Sequence, residues 1–162
     1  MSTSLLHVAL WEPEIPPNTG NIARTCAALD LPLHLIGKLG FLLDEKSLRR
    51  AGLDYWKFVK LQCHDGWTDF KRRVISPDDD RAIRRIVGFS ARATTPYTSF
   101  SYQRGDCLLF GNESSGLPDW LKDEYAETMA TVPMLTPHVR SLNLATTAGI
   151  VIYEALRQLQ VW

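Results

Sequence analysis

Short apolar runs that alternate with helical segments constrain this chain more than any other feature. Residues 5–11 (LLHVALW), 33–36, 85–89 (RIVGF), 107–110 and 128–132 are brief, bounded by polar or Gly/Pro residues, and read as buried strands. Residues 58–61 read as a further strand. Helical patterns fall between them, over 18–29, 44–51, 67–74 and from about Asp119. Such alternation predicts an α/β protein with a mostly parallel sheet. The segment 12–17 contains three prolines and is expected to stay out of the helix that follows. Residues 77–80 read as a polar turn. The chain shows no internal repeat, low-complexity segment or linker, so residues 1–162 are expected to form one domain.

The stretch 132–158, VPMLTPHVRSLNLATTAGIVIYEALRQ, carries the densest information. Leu144, Ala148, Val151, Ile152, Ala155 and Leu159 recur at helical spacing and predict one buried face. The helix opens at Ser141 or Asn143, and either residue is a good N-cap. A cap needs only one of them, which frees the other to meet a ligand at the positive helix end, with Arg140 beside it. The same residues also describe a doubly capped helix with a solvated arginine.

Three strand-ending loops are rich in polar residues: 12–24, 110–118 and 132–143. Open α/β sheets bind ligands at the carboxyl ends of their strands. The first loop places Asn18, Asn21 and Arg24 there. The second, FGNESSGLP, has two glycines that permit close backbone approach, and Glu113 is expected to sit among backbone amides. A tight glycine-capped turn explains the same loop. No GxxxxGK[ST], GxGxxG or GxSxG occurs, which argues against a P-loop nucleotidase, an ordinary dinucleotide enzyme and an α/β-hydrolase.

Charge and cysteine usage set further bounds. The 18 basic and 18 acidic residues cancel, so net charge does not advertise a nucleic-acid partner. The distribution is uneven: Lys46, Arg49, Arg50, Lys57 and Lys60 form one basic run, and Lys71, Arg72, Arg73, Arg81, Arg84 and Arg85 another. These are solvated helix faces or phosphate contacts. Three isolated cysteines and four histidines show no metal-ligand spacing, so no metal is expected. With no signal peptide or membrane span in view, the expected location is the cytoplasm.

The segments NTGNIARTCAALD, LLFGNESSGLP and VPMLTPHVRSLNLATTAGIVIYEALRQ resemble, in order, the three motifs of the SPOUT superfamily of RNA methyltransferases. LWEPEIPPNTGNIARTC and RRAGLDYWKF resemble more narrowly the short tRNA 2′-O-ribose methyltransferases of the wobble nucleotide. The resemblance covers essentially the whole chain. It implies an α/β knot fold with helices on both sheet faces and a C-terminal trefoil knot, an exception to the rule against knots. It implies S-adenosylmethionine as methyl donor, tRNA as substrate, and a homodimer in which the C-terminal helix from Ser141 packs against the partner subunit.

Carried over residue by residue, the resemblance assigns cofactor contacts to Phe89, Gly111, Val132, Ser141 and Leu142. Gly111 would let its loop approach the adenosine. The reacting centre would hold Arg24, Asn18, Glu113, Ser141 and Asn143. Arginine stays protonated and is a poor base. Arg24 is therefore expected to stabilise charge developing on the ribose oxygen and to grip a phosphate. Two departures stand out: GNESSGLP lacks the basic residue expected near Ser115, and the loop LTPHVR is about one residue longer than usual. They bear on the target nucleotide more than on the reaction. RNA contacts are expected from Arg49, Arg50, Lys57, Arg72 and Arg73, with Tyr55 and Trp56 as stacking or core residues. Alternatives are another tRNA or rRNA site, or a non-catalytic RNA-binding dimer module.

Overall fold

The computed structural model describes residues 4–44, 54–75 and 82–162. Six strands appear among them: β1 (Leu6–Trp11), β2 (Pro32–Ile36), β3 (Lys60–His64), β4 (Arg85–Phe89), β5 (Asp106–Phe110) and β6 (Met129–Ala130). The helices are α1 (Pro16–Ala28), α2 (Trp67–Val74), α3 (Asp119–Glu124) and α4 (Leu144–Gln158). The sheet runs in the order β3-β2-β1-β5-β4-β6, and every pairing is parallel. The chain adds strands outward on one side of β1, then returns to place β5 on its other side. That reversal creates a switch point at the carboxyl ends of β1 and β5.

Period-two alternation sends successive strand residues to opposite faces. Leu6, Val8 and Leu10 of β1 join Ile22, Ala23 and Cys26 of α1, and Ala148, Val151, Ile152 and Ala155 of α4, in one core. Ala9 joins Trp67, Phe70 and Val74 of α2 and Leu121 of α3 on the other face. Helices thus cover both faces, as a parallel sheet requires. Burial pushes the Cys26 thiol up to about 12, so it acts as a small apolar side chain. No helix among the described residues is long and apolar enough to cross a membrane.

Three boundaries differ from the sequence reading. Pro16 and Pro17 lie inside α1, in its first turn. The N–H groups of a first helical turn have no intrahelical partner, so proline loses nothing there. The third strand begins at Lys60 rather than at residue 58, because Trp56–Phe58 forms a 3-10 turn that leaves Phe58 exposed. The last strand shrinks to Met129–Ala130. Beyond it Thr131 is captured by the loop after β4: its N–H donates to the Thr95 carbonyl at 2.9 Å, and its carbonyl accepts from Tyr97 at 2.8 Å. The expected helix at 44–51, the turn at 77–80, and Lys46, Arg49, Arg50 and Arg81 lie outside the described residues, Asp44 apart.

A row of histidines crosses the second core. His7 Nδ1 lies 3.1 Å from His34 Nε2, and His34 Nδ1 lies 3.0 Å from His64 Nε2. Phe70 meets both His34 and His64 edge-on. His34 is fully buried, and burial, reinforced by His7 and His64, lowers its pKa to about 3. The folded protein therefore holds it neutral, whereas the unfolded chain protonates it near 6.5. Below that pH the unfolded state binds more protons, so stability is full above the unfolded value and falls as pH drops toward 3. Denaturant unfolding at pH 5 is expected to give a free energy lower by about 2 kcal/mol than at pH 7 from His34 alone. A His34→Gln variant should lose that increment of pH dependence; an unchanged pH slope in the variant would contradict the assignment.

Candidate active site

The three polar loops converge at the switch point. Glu113, in the loop after β5, is the hub. Its Oε2 accepts the Glu14 N–H at 2.8 Å, and its Oε1 accepts the Ile15 N–H at 3.1 Å and the Asn18 amide at 3.3 Å. The carboxylate thus sits among backbone amides, as the sequence indicates. Ile15 is the N-cap position of α1 and offers no side-chain cap, so Glu113 supplies the anion at that helix end from a remote loop.

The network continues into α4. Asn143 Nδ2 donates to Asn18 Oδ1 at 2.9 Å, while Asn143 Oδ1 accepts the Thr146 N–H at 3.1 Å as the N-cap. Each amide is oriented by its partners, and Asn18 is only 6% exposed. The pair Asn18 and Asn143 therefore ties α1 to α4, and Glu113 ties both to β5. Asn143 is the cap, and Ser141 stays exposed at the mouth of the site.

These residues border a cleft of about 880 Å³, within the range of small-molecule sites. Phe89, Gly111, Val132, Ser141 and Leu142 line it, as do Asn18, Glu113 and Asn143. Arg24 does not line it. It projects from α1 with its guanidinium 5.7 Å from the centre of the Tyr55 ring, and Tyr55 donates to the Gly20 carbonyl at 3.0 Å. Trp56 packs against the first core rather than standing free for stacking. The space at Gly111 is claimed by the chain itself: a Cβ there would overlap the Gly116 carbonyl carbon and the Leu117 nitrogen. The loop folds back on Gly111, closed by Gly116 N–H to Asn112 O at 3.1 Å. Ser115, near which the family resemblance implies a basic residue, donates its N–H at 2.8 Å and its hydroxyl at 2.9 Å to Asn112 Oδ1.

Sequence reasoning did not single out Ser90, Arg92 or Met134, which also line the cleft. Ser90 and Arg92 follow β4 directly, so the strand-end rule applied to that loop would have found them.

The model of the SpoU rRNA Methylase family matches residues 5–153. The chain belongs to this family. The SpoU family chain is 42% identical to the tRNA (cytidine(34)-2′-O)-methyltransferase of Escherichia coli (strain K12) over 156 residues, covering 96% of this chain and 94% of that one. A structure solved for insight into 2-OH methylation of C/U34 on tRNA is 47% identical, with a TM-score of 0.84 and 97% of both chains covered. The SpoU methyltransferase AviRb from Streptomyces viridochromogenes, in complex with AdoMet, shares the fold at a TM-score of 0.81 and 24% identity. That match covers 99% of this SpoU family chain and 60% of AviRb.

Proposed function

We propose that this SpoU family chain is an S-adenosylmethionine-dependent tRNA 2′-O-methyltransferase that modifies the ribose of the wobble nucleotide, cytidine or modified uridine 34. In this reading residues 1–162 are a single SPOUT methyltransferase domain with a C-terminal trefoil knot, and the protein works in the cytoplasm as a homodimer. The observation that carries it is the bonded set Glu113, Asn18 and Asn143 in a cleft that the strand ends Trp11, Phe89 and Phe110 also line.

The cleft fits the methyl donor. Phe89, Leu117, Leu142 and Leu144 give an apolar wall suited to an adenine ring, and polar side chains stand at its mouth. Phe89, Gly111, Val132, Ser141 and Leu142 would hold the cofactor. When bound, it supplies an electrophilic methyl group on a sulfonium. A ribose 2′-OH is a weak nucleophile, so the chain's task is to orient it and to stabilise charge as its proton leaves. Asn18 and Asn143 are fixed by each other and by Glu113, which pre-organises the edge where the ribose enters. Ser141 closes the mouth. Arg24 stabilises the developing oxyanion and grips a neighbouring phosphate, which takes the proton.

Arg24 stands outside its own protomer's cleft, so this reading has it serve the cleft of the partner subunit. Ile15 at 44% and Leu142 at 36% exposure are apolar residues of the cleft lining that a second copy would cover, and Val139 and, on α4, Tyr153 are also about half exposed. Labelled S-adenosylmethionine incubated with total tRNA, or with ribosomal RNA, from a host lacking this protein tests the reading. Label is expected in tRNA alone. Label in ribosomal RNA alone would favour the other SpoU-type substrate, and RNA binding without cofactor binding would favour a non-catalytic module.

A further inference from the structure

A second cavity, of about 720 Å³, lies beside the cleft on the α2 and α3 side of the sheet. Trp11 lines both cavities. It ends β1, while Trp67 opens α2 and Trp120 lies in the first turn of α3. Trp120 meets Trp11 edge-on at 5.7 Å between ring centres and Trp67 at 6.2 Å. All three tryptophans border the second cavity.

Trp120 is 47% exposed and lines the cavity, so part of its ring is open to a partner. Trp67 is only 7% exposed, yet its indole N–H has no hydrogen-bond partner among the described residues. A buried donor left unpaired destabilises a fold, and a buried Trp N–H usually finds an acceptor. That nitrogen is itself shielded from solvent, so Trp67 contributes ring surface rather than a donor to the cavity wall.

The charges of the lining identify the ligand class. Arg72 donates to Asp69 at 2.9 Å, and Lys71 lies 3.8 Å from Glu124. Asp65 also borders the cavity. Cations and carboxylates nearly cancel, so neither a bare phosphate nor a bare cation is selected. An aromatic wall beside the Lys71 and Arg72 donors and the Asp65 and Glu124 acceptors suits a flat group with both hydrogen-bond donors and acceptors on its edge. An unpaired nucleobase has that character.

We propose that the tryptophan-lined cavity is a stacking subsite for an unpaired base of the RNA substrate, next to the nucleotide whose ribose enters the main cleft. The proposal rests on the RNA methyltransferase reading above. Trp11, shared by both cavities, makes them neighbours, and consecutive nucleotides of a single strand would occupy them in turn. Trp120 then acts in substrate recognition, Trp67 backs it from the core, and Arg72 borders the subsite as a rim cation.

Fluorescence of an anticodon-type RNA hairpin tests this, with 2-aminopurine placed in turn on either side of the target nucleotide. Binding to the full-length protein is expected to quench one of the two positions. Trp120→Ala should lose that quench and bind about 5- to 150-fold more weakly, the range for one lost base stack. Trp120→Phe should recover most of the affinity. An abasic nucleotide at the quenched position should cost the wild type as much, and combining it with Trp120→Ala should add little. Methyl transfer to the same hairpins separates the two readings. Quenching without methylation would overturn the function assigned to the cleft and leave the subsite standing. Methylation with equal hairpin binding by wild type and Trp120→Ala, no quench at either position, or fully additive losses would each overturn the subsite.

Discussion

Gly111→Ala is expected to lower methyl transfer at least about 100-fold, because its added methyl displaces the loop that positions Glu113. The new Cβ would overlap backbone atoms of Gly116 and Leu117, not the tip of a flexible side chain. Backbone must therefore shift, at an overpacking cost of about 1–3 kcal/mol. The shift is transmitted directly. Glu113 is two residues away, and its carboxylate accepts from Glu14, Ile15 and Asn18. Once it moves, Asn18 loses one partner, and the bond from Asn143 to Asn18 no longer has a fixed acceptor. Denaturant unfolding and single-turnover methyl transfer, measured on one preparation, check both effects. A stable variant with the wild-type rate would show that the loop tolerates the methyl group and that its geometry is not what orients the reaction.

Arg24→Ala is expected to act in the opposite manner, with a small change in stability and a large change in rate. The side chain is exposed, and its visible partner among the described residues is the Tyr55 ring. Losing such a contact costs no more than about 1 kcal/mol. Removing one stabiliser of developing negative charge typically lowers turnover by about 10²–10³-fold. The loss should persist at saturating RNA in a single-turnover experiment. A normal rate under those conditions, with only RNA affinity reduced, would reassign Arg24 to phosphate binding. Mixing inactive Arg24→Ala with inactive Gly111→Ala adds a geometric check. If Arg24 serves its partner's cleft, mixed dimers contain one intact site and activity returns. If it serves its own cleft, mixing restores nothing.

The sequence anticipated the scaffold where one element's own pattern determines its structure. Trp67–Val74 and Arg85–Phe89 have the boundaries read from the sequence, since the first is strongly amphipathic and the second is a short run whose residues after Arg85 are all buried. The convergence of Asn18, Glu113, Ser141 and Asn143 was legible because each follows a strand end. What escaped depends on contacts distant in sequence. The early start of α1 relies on Glu113, about a hundred residues away, meeting the N–H groups of Glu14 and Ile15. The short β6 reflects a loop that competes for Thr131. The histidine row was invisible because His7, His34 and His64 lie on three different strands, and only the sheet register aligns them. The tryptophan cluster escaped for the same reason. The motif groups Arg24 with the other site residues, whereas the structure leaves it out of the cleft lining.

The most direct measurement of the central claim is the position and atom of the methyl group. Full-length protein, S-adenosylmethionine and tRNA from a host lacking this protein would be incubated, and the tRNA digested and mapped by mass spectrometry. A 2′-O-methyl group on the wobble nucleotide, absent with Arg24→Ala, is the predicted result. A methyl group on a base, or on the ribose of any other tRNA nucleotide, would contradict it.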